Sequence, residues 1–222
     1  MSASPTAPRA RSTASGPTTA RTLTATLRAQ VLSGALARGT PLREEALAAE
    51  HGVSRHTVRT ALAALAGERL VTAQEYRGVR VTRLDDDEVR SLQHLRAALE
   101  CEAVHLLASR HRAPWPDAVV APVRAAVDDL AATDPADWPA VQRAHAAVHL
   151  ALVAAAGSPR LTQAYAALGA EVALLLLHAR PRYDVAGLVV EHVAYLADVQ
   201  TRGAAAVREH LTHLADVLHP PA

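Results

Sequence analysis

The chain has no lysine and no phenylalanine, one cysteine and one methionine in 222 residues, and aromatic side chains make up 3% of it. The single cysteine, Cys101, excludes an intramolecular disulfide and fits a reducing compartment. Long apolar runs are missing as well. Residues 1–20 contain none, which argues against a secretory leader, and the longest elsewhere, VALLLLHA at 172–179, is far shorter than the roughly 20 residues that span a bilayer. The expectation is a cytoplasmic protein with no membrane contact. Because all 23 basic residues are arginine and alanine is abundant, the missing lysine reads as a bias of the coding DNA and carries no functional weight.

What is present divides the chain in two. Half of the residues are apolar, enough at this length to bury a sizeable core. The net charge of +1 conceals an asymmetry: residues 1–83 hold 12 Arg against 5 Glu, whereas residues 84–222 hold 11 Arg against 17 Asp and Glu. A basic first part is the electrostatic footprint of a nucleic-acid-binding module, and an acidic second part is repelled by the same polyanion.

The first 20 residues, rich in Ser, Thr, Pro and Ala, are too poor in large apolar groups to fold and read as a disordered arm. Leu23, Leu27, Val31 and Leu32 then recur at helical spacing, predicting a first helix over about 22–37. A second helix is expected over 42–52, stopped by Gly52, and a third from Arg55 to about Gly67, capped by Ser54. Two short strands follow, around Leu70–Thr72 and Val79–Val81, turning through Gly78. Asp85 to Glu88 begin a new helix with acidic residues that suit its dipole. Beyond them, helices are expected over about 85–112, 116–131, 136–156, 159–179, 184–201 and 203–218. The predicted fold is mainly α: a winged helix-turn-helix of three helices and a β-hairpin over 21–83, then an all-α antiparallel bundle of about six helices over 84–222.

Within VSRHTVRTAL at 53–62, Arg55 and Arg59 are four apart and share a helix face. In isolation such a pair is an ordinary solvated surface. Here a capped helix, a preceding helix with a glycine stop, a following hairpin and a regional positive charge agree with one another. In a helix-turn-helix the second helix of the motif enters the major groove with its N-terminal end nearest the bases. An arginine there forks onto a guanine or clamps a phosphate. The candidate DNA-contacting residues are therefore Ser54, Arg55, His56, Thr57 and Arg59, with Arg43 reaching the backbone and Arg77 and Gly78 on the wing near the minor groove.

The stretch GTPLREEALAAEHGVSRHTVRTALAALAGERLVTAQEYRGVRVTRL resembles the N-terminal domain of the GntR family of bacterial transcription regulators over essentially its whole length. Thr57 stands where the family often has Pro, and Thr60 where it often has Glu. The resemblance implies DNA contact by Arg43, Arg55, Arg59 and the Gly78 wing, and a homodimer on a short palindromic operator.

Ten of the twelve histidines lie in the second part. His145 and His149 are four apart, and His192, His210 and His213 follow. Twelve histidines in a chain this long give about one such pair by chance, so spacing leaves surface histidines and a divalent-metal site both open. LRAALECEAVHLLA, VHLALVAAAGSPRL, EHVAYL and REHL resemble, in order, segments of the FadR C-terminal (FCD) domain, the effector domain of a GntR subgroup. Many such domains bind a divalent metal through an Asp and three His, with a small organic-acid-like effector beside it. The resemblance places His149, His192 and His210 at the three histidines and His145 where the Asp is expected. Losing that carboxylate favours zinc or nickel over harder ions; the competing reading is a ligand site without metal. Arg96 aligns with a pocket-facing arginine that pairs with an effector carboxylate, although a surface salt bridge to Glu100 is equally open.

The sequence thus reads as an effector-responsive transcription regulator, with repression the family tendency, and not as an enzyme. A regulator whose signal is the metal itself is the alternative. A metal-dependent hydrolase is remote, since Glu191 and Glu209 each directly precede a candidate ligand and point off its face. Tyr165, Trp115 and Trp138 are expected to pack between helices without chemistry, His178 to suit a helix end, and His213 to be exposed.

Overall fold

A computed structural model of the chain describes residues 16–74 and 78–218. The arm up to residue 15 and the wing residue Arg77 lie outside the described residues.

Helix α1 spans Pro17–Leu32 and buries Leu23, Leu27 and Val31 on one stripe. It begins earlier than the expected residue 22, so residues 17–20 are its first turn and not part of an arm. Pro17 has its ring φ preset for that position and no N–H to leave unpaired. It also ends earlier, because Gly34 at φ 82° turns the chain out of the helix.

Strand β1 (Pro41–Leu42) follows, then α2 (Glu44–His51), α3 (Arg55–Gly67), β2 (Val71–Gln74) and β3 (Gly78–Val81). The sheet is antiparallel in the order β1-β3-β2, with Leu42 opposite Val79 and Val71 opposite Val81. Leu42 was expected to open the second helix. It is instead a buried strand residue, because the free edge of β3 offers it backbone partners; two residues are too few to show an alternating pattern in sequence. Leu27, Val58, Leu62, Leu65 and Leu70 form the core of this head.

The Asp85–Glu88 run starts α4 (Asp86–Arg110) with a reciprocal capping box. Glu88 N donates to Asp85 Oδ1 at 2.9 Å, and Asp85 N donates to Glu88 Oε2 at 3.1 Å. The bundle continues with α5 (Asp117–Ala131), α6 (Trp138–Ala155), α7 (Pro159–Ala166), α8 (Gly169–Ala179), α9 (Val185–Arg202) and α10 (Ala204–Leu218). The helix expected over 159–179 is in fact two, bent by 46° at Ala167–Leu168. Gly169, a poor helix former, opens the second piece. Among the described residues no single helix is long and apolar enough to cross a membrane.

The bend gives α8 two cores to serve. Leu175 and Leu176 belong to the core of the bundle, while Leu174 belongs to that of the head. Leu174 is 1% exposed, so moving the head off the bundle uncovers it. Leu174→Ala is expected to lower the unfolding free energy by roughly 2–5 kcal/mol, checked by urea denaturation; an unchanged midpoint would show that the two cores are not joined through this residue.

Candidate functional site

Two regions carry the functional candidates. In the head, Gly52 ends α2 in the left-handed region at φ 64° and ψ 30°, a conformation that a side chain disfavours. The chain then turns directly into α3. Ser54 caps α3 by accepting from Thr57 N at 3.1 Å, and its hydroxyl pairs with that of Thr57 at 2.8 Å. Arg55, His56 and Arg59 are exposed along the first turn and a half.

Thr57 departs from expectation. It is 2% exposed and lies on the inner face with Val58, Ala61, Leu62 and Leu65, so it supports the cap and does not face solvent. The two arginines are not bare. Arg59 forks onto Glu44 through Nε and Nη2 at 3.2 and 3.0 Å, and Arg55 Nη1 reaches Glu45 Oε1 at 2.7 Å. The hydrogen bonds from Arg59 hold the Glu44 carboxyl below its ordinary range. Arg43 is exposed at the N-cap of α2 with extended dihedrals, and Gly78 is exposed at φ 77° where β3 begins.

In the bundle, α6 carries His145 and His149, α9 carries His192 and α10 carries His210. Their rings converge: centroids of His145, His149 and His192 are 4.9–5.0 Å apart, and His210 lies 5.3 Å from His149 and 4.9 Å from His192. Tyr195 stacks on His210 at 4.2 Å. Potential ligand atoms of His145, His149 and His192 all lie within 4.8 Å of one another. Burial pushes all four imidazoles below their ordinary pKa, that of His192 to about 4. They are thus neutral near pH 7, the form in which imidazole ligates metals.

Behind the histidines stands a buried polar network. Arg96 and Glu100, one turn apart on α4, are both fully buried, with Arg96 Nη2 at 3.4 Å from Glu100 Oε1. The ion pair read from sequence forms, but inside the bundle and not at its surface. Partners from neighbouring helices make this tolerable. Arg96 Nε donates to Tyr165 Oη at 3.1 Å and Nη1 to Gln93 Oε1 at 2.9 Å, while Gln93 Nε2 donates to Leu211 O at 2.7 Å. Glu100 accepts from Tyr165 Oη, from Tyr195 Oη at 2.8 Å and, through Oε2, from His149 Nδ1 at 3.0 Å.

Arg96 and the four histidines line one cavity of about 10 Å³, closed by Tyr183, Leu188, Glu191, Leu211 and Leu214. Arg96 Nη2 and His145 Nδ1 are buried without a hydrogen-bond partner among the described residues. Glu191, expected to point away from the histidines, instead lines this cavity and pairs with His213 at 3.5 Å. Burial raises its pKa above the ordinary range. His213 itself is exposed as expected, and His178 Nδ1 bonds Leu174 O at 2.7 Å at the end of α8.

The donor set suits a borderline divalent ion. His149 Nδ1 is engaged by a carboxylate and His192 Nδ1 by Leu188 O at 2.6 Å, so each ring carries its proton there. Their Nε2 atoms, left with lone pairs, face each other at 3.1 Å. Two lone pairs at that distance repel unless a cation joins them, and ligand atoms about 2.0–2.1 Å from zinc stand about 3.3 Å apart in a tetrahedron. A water-sized cavity and neutral imidazoles complete the fit.

Sequence reasoning missed Glu100, Tyr195 and Gln93 as parts of the site and gave Tyr165 no chemistry. The available signal was a buried-register Arg-x-x-x-Glu on α4. Nothing local distinguishes it from a surface pair.

Two family models match the chain: "Bacterial regulatory proteins, gntR family" over residues 19–81 and "FCD domain" over residues 91–216. Among curated proteins, the chain is 36% identical over 138 residues to the HTH-type transcriptional regulator BphR of Paraburkholderia xenovorans (strain LB400). That stretch is 60% of this chain and 55% of the relative, so the chain spans about half the relative's length. The fold is similar to the crystal structure of a GntR transcriptional regulator from Rhodococcus sp. RHA1, with a TM-score of 0.69, 22% identity, and coverage of 92% of this chain and 100% of that one. It is also similar to E. coli McbR/YncC, with a TM-score of 0.59, 20% identity, and coverage of 89% and 93%. The gntR match falls on the head and the FCD match on the histidine-bearing bundle, and the chain therefore belongs to the gntR family of bacterial regulatory proteins in its FCD-bearing form, a family of transcription regulators and not of enzymes.

Proposed function

We propose that the chain is a cytoplasmic, homodimeric repressor that places α3 in the major groove of a short palindromic operator, with Arg43 on the phosphate backbone and the Gly78 wing near the minor groove. The observation that carries the reading is the exposed trio Arg55, His56 and Arg59 at the start of a helix capped by Ser54 and preceded by the Gly52 turn. These side chains occupy the positions from which a recognition helix reads base edges. On binding, DNA phosphates and guanines replace the Glu44 and Glu45 carboxylates that hold the arginines in the free protein.

In the bundle, His145, His149, His192 and His210 hold a divalent metal, zinc or nickel. A bound ion supplies a positive centre for an anionic effector, and Arg96 adds a cationic donor through Nη2, which is ion-paired with Glu100 but donates no hydrogen bond. A cavity of about 10 Å³ is too small for an organic acid, so the effector binds an opened form in which α9 and α10 separate from α4. Selecting an open over a closed bundle is the differential affinity that coupling to the head requires.

The same small volume favours a second reading, in which the metal itself is the signal. A DNA-binding titration with EDTA, then zinc or nickel, then organic acids separates the two. If the metal is the signal, zinc or nickel alone restores the metal-loaded state of the DNA affinity; if the effector is, only an organic acid changes it.

Metal analysis of protein purified without an affinity tag is expected to find one zinc or nickel per chain. His149→Ala, which removes a ligand and not merely an outer partner, is expected to weaken metal binding by more than the roughly 10–100-fold typical of outer-shell changes. Metal retention in that variant would contradict the proposed ligand set.

A further inference from the structure

Glu100 is the only acidic side chain buried among the described residues. It sits on α4, opposite the three helices that carry the histidines, and gathers groups from four elements. Oε2 accepts from His149 Nδ1 on α6 at 3.0 Å and from Tyr195 Oη on α9 at 2.8 Å. Oε1 accepts from Tyr165 Oη on α7 and lies 3.4 Å from Arg96 Nη2 on its own helix.

A carboxylate can only accept, so the 3.0 Å contact places the His149 proton on Nδ1. That leaves the Nε2 lone pair facing His192 Nε2 at 3.1 Å. With the opposite tautomer, His149 would present an N–H to the cavity and bar a cation. The charges point the same way. Four neutral imidazoles and the Arg96 guanidinium line the cavity; the one other carboxylate in its lining, Glu191, is partly exposed and pairs with His213, so Glu100 is the fully buried anion that offsets a divalent ion. Carboxylate–histidine pairs of this kind orient a ring and raise its basicity toward a metal.

We propose that Glu100 is the positioning residue of the histidine cluster: it fixes His149 as the Nδ1–H tautomer and serves as the buried counter-anion of the metal. This rests on the metal reading given above, but its first half concerns the metal-free protein and is measured there. The two tyrosines fix the carboxylate in turn, so that it cannot rotate away from His149.

The test uses the full-length protein and the variant Glu100→Gln, which keeps the shape and removes the charge. Nitrogen-15 NMR of the metal-free wild type is expected to show His149 protonated at Nδ1. In Glu100→Gln, whose amide can donate as well as accept, the Nε2–H form should become substantial. Competition with a chromophoric chelator is expected to show zinc and nickel bound about 10–100-fold more weakly by the variant. Tyr195→Phe removes one hydrogen bond without removing the charge and is expected to keep the wild-type tautomer.

An Nε2–H tautomer of His149 in the wild type overturns the proposal, however well the variant folds. Equal metal affinity of wild type and a folded Glu100→Gln also overturns it, and leaves the metal reading standing. A wild type that binds neither metal sinks the metal reading and the counter-anion role together; the tautomer measurement then decides the positioning role by itself.

Discussion

Arg55→Ala and Arg59→Ala are each expected to weaken operator binding by about tenfold to hundredfold, the effect of losing a base-reading fork worth about 1–3 kcal/mol. Both side chains are exposed on the first turn and a half of α3, and neither supports the head's core, so the loss should come without a change in thermal stability. Fluorescence anisotropy checks this, with a duplex selected from a random pool by the wild-type protein, an unrelated duplex and a salt series. If an arginine reads a base, its loss removes discrimination between the duplexes. If it holds a phosphate, its loss weakens both duplexes alike and reduces the salt slope by about one ion. His149→Ala should leave effector-free DNA binding intact, since the histidines belong to the bundle. Unchanged affinity in both arginine variants would remove α3 as the reading element.

The second large effect lies in the bundle. Arg96→Met is expected to destabilise the fold by about 3–5 kcal/mol, because it leaves Glu100 fully buried without its cation. The lost contacts to Tyr165 and Gln93 add to the cost. Adding Glu100→Gln to Arg96→Met should recover much of the loss, since a neutral amide replaces the unpaired charge. Urea denaturation of both single variants and the double variant gives the coupling energy directly. Additive effects would mean that Arg96 and Glu100 are held independently, by their tyrosine and glutamine partners.

The head was largely legible in sequence because its signals are local. Ser54 caps within three residues, Gly52 stops a helix by its own backbone, and α3 begins and ends at the expected residues. Where local signals were weak, the reading slipped. Leu42 follows no two-residue alternation that could mark a strand, and Thr57 looked like a surface neighbour of Arg55 although it faces the core. The break between α7 and α8 escaped because the apolar spacing runs through it.

The histidine site shows the same division at longer range. Its ligand candidates could be named through family resemblance, since each sits in a recognisable segment. That His145, His149, His192 and His210 meet in one cavity depends on how α6, α9 and α10 pack. That Glu100 is an interior anion, and not half of a surface pair, depends on Tyr165 and Tyr195 arriving from elements 65 and 95 residues away.

From its residues in order, the chain settled most of its element types, its helix caps, its charge asymmetry and its family, because these arise chiefly from neighbours within a turn or two. Tertiary packing decided which polar groups leave water, which partners satisfy them, and therefore which imidazole nitrogen carries its proton. Burial and hydrogen-bond pairing are set by atoms far apart in sequence, and no local pattern encodes them.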